Sequence, residues 1–213
     1  SESLLKEKIT NRKLKVLLKQ YISSNYSEGI DSLLKNYRQK ALTSLLSVSY
    51  DENSEIRFGA IELYSKLTGY LNHQDKNSVR IFIRKLIWML TEESGGIAWT
   101  APAIIGVILS SDAELAAEFA DILFSYVYEV EGEPENFLDH PPHREMAYWG
   151  IYKLLSAFPE MIFEREYIIE SRFTVESDSN MNNEDIAEIY FDGKIKEVRI
   201  KGLALSILQD KLN

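Results

Sequence analysis

The sequence predicts an all-α fold, an α-α superhelix of stacked helical hairpins that ends in a small C-terminal β-hairpin. Three observations carry this reading. Apolar residues recur at three-to-four spacing through most of the chain, the pattern that paints one face of a helix. The connections between these stretches are short, as antiparallel helix pairs require. Four segments also align without gaps, with starts 41, 46 and 55 residues apart, a period that fits units of two helices plus turns. With 213 residues and 45% hydrophobic content, the chain can bury a large core in one continuous stack.

In chain order, Leu4, Leu5, Ile9, Leu14, Leu17, Leu18 and Tyr21 mark a first amphipathic segment. Leu33, Leu34, Tyr37, Ala41, Leu42, Leu45 and Leu46 mark a second. Further helices are expected to begin near Ser54, Ser78, Thr100, Asp112 and Pro142. Asn53 or Ser54, Ser78 and Asp112 stand where N-caps are needed, because their side-chain oxygens can accept from the free N–H groups of the first turn. The stretch TVESDSNMNNED (174–185) has no periodicity and reads as a loop. Alternation from Ile186 to Phe191 and from Lys194 to Ile200, around Asp192-Gly193, predicts a hairpin on a type I′ turn. A last helix is expected from about Gly202 to Leu212. The whole of 1–213 reads as one domain: an N-terminal helical pair (1–50), repeats (51–173), then loop, hairpin and terminal helix (174–213).

The repeating segments are IRFGAIELYSKL from Ile56, IAWTAPAIIGVI from Ile97, HREMAYWGIYKL from His143 and VRIKGLALSIL from Val198. Their second position holds Arg57, Ala98, Arg144 and Arg199, and their fifth is small in each: Ala60, Ala101, Ala147 and Gly202. A small residue in mid-face lets a neighbouring helix approach closely. The fourth segment overlaps the predicted hairpin and is expected to be a partial repeat.

The pattern of a branched apolar residue, Arg, two residues, then a small one and an apolar run resembles the second helix of HEAT-type repeats. More narrowly, RKLIWMLTEESGGIAWTAP is similar to a signature of an uncharacterised HEAT-repeat family, W-x-L-x-E-E-S-G-G-x-x-W-x-x-P, and IAEIYFDGKIKEVRIKGLA is similar to a later stretch of it. The resemblance spans about residues 50–213. Ala103 stands where that family has an acid after Pro102. The resemblance implies an armadillo-like α-solenoid scaffold that binds a protein, and no known reaction; no cofactor is expected.

Composition narrows the functional classes. The chain has no cysteine, which removes disulfides, thiolate nucleophiles and Cys-type zinc sites and points to a reducing, cytoplasmic setting. SESLLKEKIT carries charges where a signal peptide needs apolar residues, and no run approaches a membrane span. The net charge of −9 is unevenly placed. Residues 86–143 contain 11 acidic residues and no Lys or Arg, leaving 24 basic and 22 acidic residues elsewhere. An acidic middle favours a cationic protein segment as partner and repels a polyanion. A DNA-alkylation-repair-like reading of a HEAT solenoid would need a basic stripe, and the basic residues concentrate only near the N-terminus and at Arg80, Arg84 and Lys85. No G-x-S-x-G elbow is present, so a serine-hydrolase arrangement has no support.

Two stretches hold candidate binding residues. TEESGGIAWTAPA follows a helix and has no Lys, which excludes a P-loop. It reads as a helical corner, with Gly95 and Gly96 able to take positive φ, Thr100 placed to cap the next helix and Pro102 in its first turn. Trp88 and Trp99 are expected as core fillers. Glu92, Glu93, Ser94 and Trp99 nonetheless cluster in a connection, where binding groups concentrate. The second stretch, EVEGEPENFLDHPPHRE, supplies Glu129, Glu131, Glu133 and Glu135 and, at its helix start, Arg144. His140 and His143 beside Asp139 could hold a divalent ion, but their spacing matches no specific motif and no metal is assigned. A small-molecule or metal-dependent enzyme built from the 92–99 and 139–145 loops is the remaining alternative.

Overall fold

A computed structural model describes residues 8–91, 95–96, 98–128, 136–162 and 165, and the backbone alone of 186–191 and 194–199 and of 141–142 within a helix. The predicted loop 174–185 and terminal helix 202–212 lie outside the described residues. Among these, eight α-helices account for the main body: α1 (Asn11–Ser23), α2 (Ser27–Asn36), α3 (Arg38–Val48), α4 (Ser54–Asn72), α5 (Lys76–Trp88), α6 (Ala101–Leu109), α7 (Ala113–Ser125) and α8 (Pro141–Ala157). A 3-10 turn, Pro159–Ile162, follows α8. The backbone of β1 (Ile186–Phe191) pairs antiparallel with β2 (Lys194–Arg199), Ala187 opposite Val198 and Phe191 opposite Lys194. No helix among the described residues is long and apolar enough to cross a membrane.

Local chemistry sets most of the boundaries. Asn53 accepts from the Ile56 N–H at 3.2 Å and Asp112 from the Leu115 N–H at 3.0 Å, so both are N-caps. α5 starts earlier than its sequence implies: Asp75 is the N-cap, accepting from the Ser78 N–H, and Ser78 sits inside the first turn. Thr10 likewise caps α1 through the Lys13 N–H. The apolar pattern from Leu33 to Leu46 is one stripe in sequence but two helices in space, broken at Tyr37 (φ −126°, ψ 35°). α2 runs parallel to α4, since Asp31 pairs with Lys66 at 2.6 Å and Lys35 lies 5.3 Å from the Tyr70 ring centroid. α3 runs back against α4, its Leu42 carbonyl accepting from the Tyr64 hydroxyl. Both helices face the same core, so spacing alone does not mark the reversal.

Further side-chain pairs fix helix directions. Lys76, Arg80 and Arg84 on α5 meet Asp112, Glu114 and Glu118 on and before α7 in ascending order, with Lys76 Nζ 2.6 Å from Glu114 and Arg80 Nε 2.6 Å from Glu118. α5 and α7 are therefore parallel neighbours. Each surface pair adds little stability, but the series fixes their register. Phe58 meets Trp149 edge to face at 5.3 Å, and Glu62 meets Lys153 at 2.7 Å, so α4 and α8 are also parallel. Gln39 at the start of α3 bonds Ser78 near the start of α5 at 2.8 Å.

One apolar cluster runs from Ile9 to Ile162. At its centre is α6, APAIIGVIL, whose nine residues are all buried. A helix that is apolar all round belongs inside. α6 touches α4, α5, α7 and α8, and the backbone of β1 lies against both α4 and α8. α6 and α8 meet at Gly106 and Gly150, where their backbones touch without intervening side chains. Of the small repeat positions, Ala60, Ala101 and Ala147 are fully buried; the fourth, Gly202, is outside the described residues.

Asp112 links capping to pH. Burial raises its pKa, but the Leu115 N–H and Lys76 outweigh that and hold the carboxyl below its ordinary value. A depressed folded-state pKa contributes stability above the unfolded value, lost as pH falls through the folded one. Asp112→Ala is expected to cost about 1 kcal/mol at pH 7. In urea titrations the gap to the parent should narrow as the pH drops below about 4; a gap constant across that window would contradict the assignment.

Candidate functional site

The connections that enter α4, α6 and α8 share one end of the molecule. Ser49 Oγ, at the end of α3, lies 2.8 Å from Thr100 Oγ1 at the start of α6, so the α3–α4 connection touches the α6 N-terminus. The parallel alignment of α8 with α4 brings its N-terminus to the same end. Each of the two longer connections is tied at its neck by one backbone bond: Ala98 N–H to Met89 O at 3.2 Å, and Leu138 N–H to Tyr126 O at 3.0 Å. The first neck encloses Glu92, Glu93 and Ser94, and the second Glu129, Glu131, Glu133 and Glu135. These seven candidate residues lie outside the described residues.

The corner at Trp99 is a clamp. Tyr50 and Trp99 have ring centroids 6.1 Å apart, and the Arg57 guanidinium lies 5.7 Å from the Trp99 centroid and 5.3 Å from that of Phe58. Thr100 does not cap α6 with its side chain; its hydroxyl is turned to buried Ser49, which donates in turn to the Leu46 carbonyl at 2.6 Å. Pro102 sits in the first turn of α6 as expected. Burial raises the Tyr50 phenol above its ordinary value, partly offset by the Thr100 side chain beside it. Gly95 takes φ +75°, which favours glycine, whereas Gly96 does not have a positive φ. Trp99 is half-buried as a core filler should be, but Trp88 is 53% exposed. The stripe Val79, Phe82, Ile83 and Leu86 faces inward, and Trp88 is out of phase with it.

Arg144 is only 6% exposed. Its Nη1 donates to the Leu138 and Asp139 carbonyls, each at 2.8 Å, and its guanidinium lies 5.2 Å from the Phe137 centroid. Arg57 makes the same arrangement two repeats earlier, donating to Asp51 O at 3.0 Å and Glu52 O at 3.4 Å. In both, an arginine reaches back to carbonyls six and five residues earlier. The repeat arginine thus fastens the connections into α4 and α8 to the helices they enter, a positioning role for Arg144 rather than a surface contact. The sequence alignment placed Arg57 and Arg144 in one column without revealing this shared bonding.

His140 and His143 meet edge to face with centroids 4.7 Å apart. Burial, then the neighbouring His140, lowers the pKa of His143. Among the described residues, no group of three His, Asp or Glu is gathered in a way that could hold a metal ion. The acidity of the middle is also partly spoken for: Asp112, Glu114 and Glu118 pair with α5, and Asp121 pairs with Arg165 at 2.5 Å. By sequence the other acids of the middle fall in the two necked connections and at Asp139. Comparison of the chain with protein-family models, curated proteins and solved structures found no match.

Proposed function

We propose that the chain is a non-enzymatic, HEAT-like repeat scaffold that recruits a basic segment of a protein partner at the acidic end formed by its α5–α6 and α7–α8 connections. The carrying observation is that the connections into α4, α6 and α8 share one end, with the two acid-rich ones tied at their necks. Support for the repeat reading comes from α5 lying parallel to α7, the first helices of consecutive hairpins, and from α6 packing against both α4 and α8, the second helices on either side of it. Consecutive hairpins in one curved row have this geometry. By sequence these two connections carry Glu92, Glu93, Glu129, Glu131, Glu133 and Glu135, and a run of like charge attracts a cation-rich chain and speeds its encounter. The acidic end is favoured over the concave face, because the α4 and α8 surfaces are met by β1. Nucleic acid is disfavoured, because Lys76, Arg80 and Arg84 are already matched to carboxylates of the α7 region.

The test uses a fluorescent oligolysine peptide and a fluorescent DNA duplex in anisotropy titrations. The peptide should bind with an affinity that falls as salt rises. Glu→Gln changes at 129, 131, 133 and 135 together should weaken it by about tenfold or more. The duplex should not bind. Unchanged peptide affinity in the fourfold variant removes the acidic end as the binding site.

A further inference from the structure

α5 carries more than its two packing faces explain. Val79, Phe82, Ile83 and Leu86 point into the core, and Lys76, Arg80 and Arg84 turn toward α7. The remaining direction is opposite the core, and there the helix presents Ile81, 58% exposed, and Trp88, 53% exposed. The two are seven residues apart, so they share a face roughly 10 Å apart along the axis. Single exposed apolar side chains are ordinary; a β-branched residue and a tryptophan on one outward stripe form an apolar ridge. Lys85 lies between them and has no ion pair among the described residues, and the Arg84 side chain is 61% exposed, with one carboxylate contact at 3.3 Å. The ridge is therefore flanked by positive charge.

We propose that the outer face of α5 docks an acidic amphipathic segment of a partner protein. Two apolar side chains on such a segment cover Ile81 and Trp88, and its carboxylates meet Lys85. Tryptophan is the side chain most suited to anchor a small interface, because it removes a large apolar area from water with little loss of rotamer freedom. Charge complementarity selects the occupant. An extended anionic sheet such as a lipid surface would also face the outward carboxylates of α7, Glu114, Glu118 and Asp121, and the net charge of −9. A single segment running along α5 avoids them. This surface is opposite in sign to the acidic end and does not rest on that reading.

The experiment uses the full chain and a labelled acidic peptide about four helical turns long, with Leu and Phe at helical spacing. Saturable binding is expected, weakened about tenfold by Trp88→Ala, severalfold by Ile81→Ser, and severalfold by Lys85→Glu with loss of salt dependence. Because these side chains are exposed, urea midpoints should stay at the parent value, which separates lost binding from lost folding. The fourfold change at Glu129, Glu131, Glu133 and Glu135 should leave this peptide's affinity intact. Four results overturn the proposal: no saturable binding of the peptide; binding indifferent to Trp88→Ala and Lys85→Glu; Trp88-dependent flotation with phosphatidylserine vesicles, which assigns the face to a membrane; or Trp88-dependent self-association in sedimentation, which assigns it to a second copy.

Discussion

Gly106→Ala is expected to destabilise the protein by about 3 kcal/mol and to lower Tm by roughly 6 to 12 °C. A Cβ at Gly106 would fall inside the van der Waals envelope of the Gly150 backbone, against its Cα, C and O. Seen from the other helix, a Cβ at Gly150 would lie 2.5 Å from the Pro102 carbonyl oxygen. Neither obstacle is the end of a flexible side chain. The only relief is to move α8 away from α6, and α6 is buried on every side, so the shift spreads into the contacts of α4, α5 and α7. Gly69, inside α4, is the matched control: nothing lies within 4 Å of its Cβ direction. Gly69→Ala should stabilise by about 0.5 to 1 kcal/mol, because glycine gives up more backbone freedom on folding than alanine does. Paired thermal and urea melts decide the matter. If Gly106→Ala melts within a degree or so of the parent, the close backbone approach of α6 and α8 is not there.

Arg144→Met should cost about 2 to 3 kcal/mol and open the α7–α8 connection to limited proteolysis, while Arg57→Met should cost about 1 kcal/mol. Both variants keep most of the aliphatic stem and lose the guanidinium. At Arg144 the loss strands the Leu138 carbonyl beneath a buried side chain, where a replacement water is hard to place. Arg57 is only half-buried and serves carbonyls nearer to water, so its loss is more easily repaired. The comparison also separates two roles for Arg144. A side chain that only touched a partner would leave stability and protease resistance at parental values and weaken binding alone. Equal destabilisation by the two variants would sink the explanation from burial.

Most helices were legible because their causes are local. Asn53 and Asp112 cap where an oxygen-bearing side chain precedes a periodic apolar run, and α6 is buried throughout because it is apolar throughout. Boundaries failed where two local signals compete. Asp75 and Ser78 both carry cap-type oxygens; Asp75 takes the cap by accepting from the Ser78 N–H, while the Ser78 hydroxyl accepts from Gln39 of α3. Trp88 was misread from its type, although its phase against Phe82, Ile83 and Leu86 already placed it outward. The candidate residues of the acidic connections were found by composition, which records charge and not position.

By itself the sequence determined the all-helical character and the caps at Asn53 and Asp112, since each follows from residues within a turn or two of one another, and also the recurrence of Arg57 and Arg144 and the polarity of the middle, which composition and spacing state without a fold. The tertiary structure alone decided that the helix from Leu33 to Leu46 breaks at Tyr37, that Thr100 answers Ser49 instead of capping α6, that Arg144 is withdrawn into its connection, and that Gly106 meets Gly150. These depend on which helices become neighbours. Apolar periodicity states that a face will be buried; only the packed chain states against what.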